Sequence, residues 1–510
     1  MTGTLYEAFF WIKELILCHS SPTYLQEKVD DMSHETISSV EYGKSITERR
    51  AAEDLRSIAQ LKRFLECLTG DSKFREKIKA NPASADNLAK KSGIDIDLSK
   101  FSGKFEPSGF IEVKCHDLKE YPLAVLWREW IQDWRTFVKL IREDGYSHSA
   151  DPRFNAWRKR QVERVNIEFG AAQADSISHP IFSFELSKGC SVGCWFCALG
   201  AESFRGYYQR TPKNVLLWRN VLSTAVDLFG SAVQTGACYW ATEPFDNPNY
   251  LDFIQDYLDI VGIVPQTTSA APMRDLVWTR RLMEMHKLYP SVPSRFSIVN
   301  SRILRDLHAN FSPEELLCYE LIMQLKGSSY GKARAGKTLR KKLSAESPRH
   351  KGLQIYEEVG SIACMSGYLV NMMDGIIQLV SPSLANERWP LGYRVHASGT
   401  FSTANEFGDF IERSISEHMP AGLPPDQAVA YRDGLVYESC ENGFLLSSDF
   451  AAHSFTGFGF VSKLGDMVAE GKYKPAQIIG DLVDEGADIF GVRGTLEDLF
   501  NKGFLEDLPI

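Results

Sequence analysis

What this chain lacks narrows its class before any motif is considered. No apolar run approaches the roughly 20 residues that a membrane-spanning helix requires; the most apolar stretch, Leu5 to Leu17, is broken by Glu7, Lys13 and Glu14. It reads as an amphipathic helix packed on the body rather than a signal-peptide core, and no membrane partner is expected. Positive charge is short: 57 Lys and Arg face 66 Asp and Glu, for a net charge of −9. A general nucleic-acid surface needs concentrated Lys and Arg, so no nucleic-acid partner is expected either. The ten cysteines do not form the dense framework of a secreted disulfide scaffold. Seven of them, Cys18, Cys67, Cys115, Cys238, Cys318, Cys364 and Cys440, are scattered, and a reducing, cytoplasmic location is expected. With 44% hydrophobic and 24% charged residues, the rest is an ordinary globular composition able to bury large cores.

The other three cysteines stand together in Ser187-Lys-Gly-Cys190-Ser-Val-Gly-Cys194-Trp-Phe-Cys197. The C-x3-C-x2-C spacing, on a loop with Gly189 and Gly193 just after the apolar run Ile181–Phe184, delivers three thiolates into one small volume. Here too something is missing. A structural zinc site wants four ligands, and no fourth Cys or His is close in sequence. Three thiolates suit a [4Fe-4S] cluster with one iron open to an exogenous ligand. A zinc knuckle completed by a distant residue, or three unrelated thiols, remains the alternative, since thiolates suit zinc as well as iron–sulfur.

By pattern the chain divides into residues 1–150, 151–400 and 401–510. The first part is helical. Leu55, Ile58, Leu61, Leu65 and Leu68 recur at helical spacing before Gly70. Asp71 caps a short helix with Phe74 and Ile78, and Asn81-Pro82 restarts one that runs to Gly93. A helix from near Pro122 carries Trp127, Trp130, Trp134, Val138 and Ile141 as a core stripe. The basic helix Arg153–Arg164 reads as a solvated face, with a grip on an acidic peptide as the alternative.

From about 178 to 385 short apolar strands alternate with helical patterns, the mark of parallel β/α construction. Strands are expected at Ile181–Glu185, Ala237–Trp240, Pro265–Thr268, Phe296–Val299, Ser361–Ala363 and Ile376–Val380. Helices are expected after Thr211-Pro212 and after the capping box Ser312-Pro-Glu-Glu315. Such units predict an α/β fold with an open, partial (β/α)6 barrel, its site at the C-terminal ends of the strands. The Gly- and Lys/Arg-rich stretch 326–351 is either a flexible connection or a lid over an anionic substrate segment. Beyond 421 an acidic tail, weakly alternating and then helical, predicts a small C-terminal winged-helix-like module.

The cysteine motif, with Phe196 just before its last cysteine, resembles the radical S-adenosylmethionine superfamily. Phe184–Cys197, Tyr239-Trp-Ala-Thr-Glu-Pro-Phe-Asp-Asn-Pro248, Gly360–Met372 and Arg388-Trp-Pro-Leu-Gly-Tyr393 are similar to peptide epimerases of the proteusin type, over roughly residues 150–400. The resemblance implies a radical S-adenosylmethionine barrel behind a helical N-terminal domain, with Cys190, Cys194 and Cys197 holding a [4Fe-4S] cluster whose open iron chelates S-adenosyl-L-methionine. A 5′-deoxyadenosyl radical would then take a hydrogen atom from Cα of a residue in a ribosomally made precursor peptide, and a cysteine thiol would return one from the opposite face. By the same resemblance Phe196 lies near the adenine. Glu243 holds the methionyl amine from Ala241-Thr-Glu-Pro244, where the superfamily usually has Gly-Gly-Glu-Pro; Thr242 departs from that pattern. Thr268, Ser297 and Asn300 are placed against the carboxylate and ribose by strand register, and Cys364 is the expected hydrogen donor. The implied partners are the precursor peptide, its leader received by the C-terminal module at a sheet edge, and an electron donor such as flavodoxin or ferredoxin. The same radical start also serves cross-linking or methylation of a peptide. A non-catalytic, zinc-containing peptide-binding protein is the alternative of another class.

Overall fold

The computed structural model describes residues 38–101, 120–170, 174, 177–289, 291–328, 332–333, 335–339, 357–358, 365–448, 451–457 and 459–507. The helix expected at Leu5–Leu17, the strand expected at Ser361–Ala363 and the proposed hydrogen donor Cys364 lie outside these residues. The chain is a mixed α/β protein with many helices and several small sheets.

Helices come first: α1 (Ser39–Glu48), α2 (Ala52–Gly70), α3 (Ser72–Ala80), α4 (Ala85–Lys91), α5 (Pro122–Asp144) and α6 (Pro152–Phe169). Their ends follow from local chemistry. The Asp71 carboxylate accepts the amides of Lys73 and Phe74 at 2.9 and 3.2 Å, so one residue ends α2 and starts α3. Trp127 and Trp130 are buried, and Trp134 meets Trp130 edge-on with centroids 5.7 Å apart, so the aromatic stripe of α5 is core. These helices share one contiguous apolar core with the sheet region, from Ile46 to Met419.

Next come β1 (Phe182–Glu185), the short pair β2 (Ser187–Lys188) and β3 (Gly206–Tyr207), then α7 (Pro212–Phe229), α8 (Tyr250–Val261), β4 (Thr268–Ser269), α9 (Leu276–Leu288), β5 (Arg295–Ser297), α10 (Ser301–Asn310) and β6 (Glu320–Ile322). Beyond these lie β7 (Lys332–Ala333), β8 (Glu357–Glu358), β9 (Gly367–Asn371), β10 (Ile376–Pro382), β11 (Tyr393–Thr400) and α11 (Ala404–His418). The parallel order runs β9, β1, Ala237, β4, β5, β6. Phe182 pairs with Tyr368, Ser183 bridges Ala237, Ala237 bridges Gln266, Thr268 pairs with Arg295, and Arg295 with Glu320. Parallel neighbours need crossovers, and α7 to α10 supply them between β1 and β6.

Several expectations are corrected here. The segment expected as a strand at Ala237–Trp240 pairs through Ala237 alone, because the residues after it turn into the site described below. Ile376–Val380 is a strand but runs antiparallel to β9, so it is not a sixth parallel unit. The Ser312 capping box forms, with Glu315 N donating to Ser312 Oγ at 3.1 Å, yet it heads a turn that enters β6 rather than a helix. Cys318, which the helix expected after that box would have contained, lies in the turn.

The C-terminal part holds an antiparallel meander, β12 (Val436–Cys440), β13 (Gly443–Ser447) and β14 (Ala452–Thr456), followed by α12 (Val461–Ala469), α13 (Pro475–Asp484) and α14 (Ile489–Asn501). It closes a second core around Phe444, Leu464, Leu482, Leu496 and Phe500, to which α6 contributes Ile167. The basic helix is not a solvated face. Arg158, Arg160 and Arg164 are at most 2% exposed. Arg160 and Arg164 each meet Asp507 at 2.7 Å, Arg394 meets Glu506 at 2.6 Å and Arg432 meets Glu168 at 2.9 Å. A run this rich in arginine patterns like a surface; here the returning C-terminus covers Arg160 and Arg164.

Candidate functional site

The cysteine loop is built by its glycines and by what it leans on. Gly189 has φ of +71°, and a Cβ there would stand 2.3 Å from the carbonyl oxygen of Ser203, so the strand end can turn this tightly only without a side chain. The Cys190 amide donates to Glu202 O at 2.9 Å, and Ser191 N to Asp246 Oδ2 at 2.8 Å. Arg274 donates to Ser191 Oγ at 2.7 Å and to Asp246 at 3.2 Å, tying the loop to those after Ala237 and β4. All three thiols are half-buried. Burial pushes the Cys190 thiol up, and pushes Cys194 up to about 12 with help from its two neighbouring thiols and Glu243. Such thiols ionise readily only beside a cation, which couples their deprotonation to metal binding. Among the described residues no three His, Cys, Asp or Glu side chains converge closely enough to share a single metal ion. A four-iron cluster spreads its thiolates over separate irons and asks for no such convergence.

Cys190, Cys194, Phe196, Cys197, Thr242, Glu243, Thr268 and Ser297, eight of the expected site residues, line one cavity of about 90 Å³ that opens to solvent. Trp240, Val299 and Gln324 line it as well, so it sits at the C-terminal ends of β1, the Ala237 segment, β4, β5 and β6. Asn300 is not brought there. Its side chain accepts Ile303 N at 3.0 Å and caps α10, which corrects its expected place beside the ribose.

Glu243 is 2% exposed and held by donors alone: Ser269 Oγ at 2.6 Å, Ala270 N at 2.8 Å and Phe245 N at 3.1 Å. No cation among the described residues offsets its burial, which pushes the carboxyl up to about 6. Thr268 Oγ1 is buried without a hydrogen-bond partner, whereas the Trp240 side chain on the same wall is hydrogen-bonded to Tyr393. Buried polar atoms are nearly always satisfied, so the unpartnered Thr268 hydroxyl on the cavity wall fits a site that a polar ligand completes. The described part of the Gly-rich stretch packs under the loop: Lys337 N donates to Cys197 O at 2.9 Å, and Thr338 Oγ1 to Phe196 O at 3.3 Å.

Sequence reasoning missed Ser269, next to the chosen Thr268, whose signal was the strand's C-terminal end. It also missed Glu185, the last residue of β1. Of the remaining thiols, Cys238 is buried behind the site and Cys440 is exposed at the end of β12. Compared with known proteins, the chain is 37% identical over 468 residues to the "uncharacterized protein y4wI" of Sinorhizobium fredii (strain NBRC 101917 / NGR234), an alignment covering 92% of this chain and 91% of that one. No family model and no solved structure matches it.

Proposed function

We propose that this chain, which belongs to one family with y4wI of Sinorhizobium fredii, is a radical S-adenosylmethionine enzyme that epimerises residues of a ribosomally made precursor peptide. The observation that carries the reading is the meeting, in one cavity, of three half-buried thiols with a buried carboxylate that no cation among the described residues offsets. Three thiolates can hold three irons of a [4Fe-4S] cluster and leave the fourth for a ligand. When bound, cluster and S-adenosylmethionine supply a radical able to take a hydrogen atom from Cα. Glu243, already fixed by Ser269 and Ala270, receives the ammonium group of the cosubstrate. Phe196, Thr242, Thr268 and Ser297 form the wall around it, and the unpartnered Thr268 hydroxyl is free to bond a ligand oxygen. Cys364 returns a hydrogen atom to the opposite face of Cα, and the thiyl radical this leaves takes one electron, from the same flavodoxin or ferredoxin class of donor, and one proton to become the thiol again.

The six parallel segments, with the cavity at their C-terminal ends, support a partial (β/α)6 barrel. Three strands followed by three helices support a winged-helix-like leader-binding module, whose open sheet edges are β12 and β14. Among the described residues no helix is long and apolar enough to cross a membrane, and the proposed location is the cytoplasm.

The test is anaerobic reconstitution with iron and sulfide, then reduction in the presence of S-adenosylmethionine. Formation of 5′-deoxyadenosine is expected; zinc without iron, or no 5′-deoxyadenosine, ends the reading. Coexpression with the precursor in deuterated water should then add one deuterium per epimerised residue. In ordinary water a lowered product mass would mean cross-linking, and a raised one methylation.

A further inference from the structure

Glu185 ends β1, and its two carboxylate oxygens each take one donor from a different strand end. Oε1 accepts the amide of Ala241 at 2.8 Å, and Oε2 accepts Asn371 Nδ2 at 3.0 Å. Ala241 opens the segment whose next two residues, Thr242 and Glu243, line the cavity. Asn371 ends β9 and is itself fixed, its Nδ2 also reaching Ser187 O at 3.1 Å and its Oδ1 accepting the amides of Met373 and Asp374 at 3.1 and 3.0 Å. Glu185 therefore spans β9, β1 and the Ala237 segment at the mouth. Its two partners are both donors, and only an ionised carboxylate offers both an unprotonated acceptor.

We infer that Glu185 is a positioning residue: it sets the Ala241–Glu243 segment at the height from which Glu243 meets its cationic ligand, and it does so as a carboxylate. This rests on the cosubstrate reading given above. The charged and titratable groups around it are few. Asp374, in the turn after β9, faces it and is drawn off by Lys188 of β2 at 2.7 Å. Tyr393 of β11 is near enough for the Glu185 charge to raise its hydroxyl, and Asn371 is neutral. Burial, with Asp374 adding to it, pushes the Glu185 carboxyl up to about 7. The clamp should accordingly loosen as pH falls through neutrality, while Glu243 itself protonates about one unit lower.

The experiment is equilibrium binding of S-adenosylmethionine to the full-length, iron-reconstituted protein from pH 6 to 8, comparing wild type with Glu185→Gln. The amide can accept from Ala241 or Asn371 but presents an NH2 group to the other. Affinity is expected to fall about tenfold at pH 8, with iron content unchanged. Wild-type affinity should rise with two ionisations across the range, and the variant should keep only the lower one. A variant that binds like wild type overturns the inference, as does one whose affinity is lower but whose pH profile is unchanged, which would mark a merely structural bond. Wild-type protein that takes up iron yet binds no S-adenosylmethionine at any pH sinks the cosubstrate reading, and this inference with it.

Discussion

Two regions of this molecule bury carboxylates, and they treat them in opposite ways. At the seam between α6 and the C-terminus, Asp507 sits between Arg160 and Arg164, and Glu506 against Arg394. Despite burial, the arginines hold both carboxyls below their usual range, Asp507 at about 2. At the cavity mouth Glu243 is buried and Glu185 partly so; among the described residues they meet only hydroxyl and N–H donors, and both are pushed up, to about 6 and about 7. Glu168 is the seam's exception, since its burial outweighs Arg432. A carboxylate met by arginine is complete within the chain and holds two parts together. One left without a cation beside a cavity is costly until a cation arrives, which is how a binding site differs from a rivet.

The comparison can be broken most severely at the thiols. Replacing Cys190, Cys194 and Cys197 together by Ala should abolish iron uptake and the brown chromophore, while circular dichroism stays that of the wild type. Retained iron in that variant would remove the cavity from the account.

At the seam the effect should appear in stability. Asp507→Ala leaves Arg160 and Arg164 buried without their partner and should cost about 3–5 kcal/mol in urea unfolding. The wild type should show the same contact by acid. Because the folded value lies below the ordinary 3.8, the stabilisation is complete above that pH and about 2 kcal/mol is lost as pH falls toward about 2. For the same reason, deleting residues 421–510 is a poor test of leader binding, since it strips α6 of Asp507.

Glu243→Gln should do the reverse. Its raised value means the protonated form is favoured in the fold, so stability declines as pH rises from about 4.5 through about 6. The neutral amide escapes that decline, and unfolding free energy at pH 8 should change by no more than about 1 kcal/mol while S-adenosylmethionine affinity falls at least about tenfold. A large stability loss with binding intact would make Glu243 a structural residue. The smallest effect belongs to Asn300→Ala, which should cost about 1 kcal/mol as a lost helix cap and leave cosubstrate binding unchanged.

Much of the local architecture was legible along the chain because its causes are local. Asp71 reads as a cap because its side chain reaches amides two and three residues on, and Thr211 because it accepts Asn214 N at 3.3 Å. The Ser312 box was read correctly as a box and wrongly as a helix start, since the apolar residues that follow it suit a buried strand equally well. That same ambiguity hid β6.

By itself the sequence determined the thiol loop: three cysteines within eight positions, with Gly189 where the turn admits no Cβ, must share one mouth whatever surrounds it. Composition likewise determined that the chain could bury large cores. Only the tertiary structure decided what faces the thiols and what does not. Ser269 and Ala270 reach Glu243 across strand ends, Asn300 turns to its own helix, Asn371 meets Glu185 over 186 residues and Asp507 meets Arg160 over 347. Such partnerships depend on which strands neighbour one another and on which surfaces a returning chain covers. Neither leaves a periodic mark in sequence, because the free energy that selects them comes from burial and the satisfaction of buried polar groups, which are properties of the packed whole.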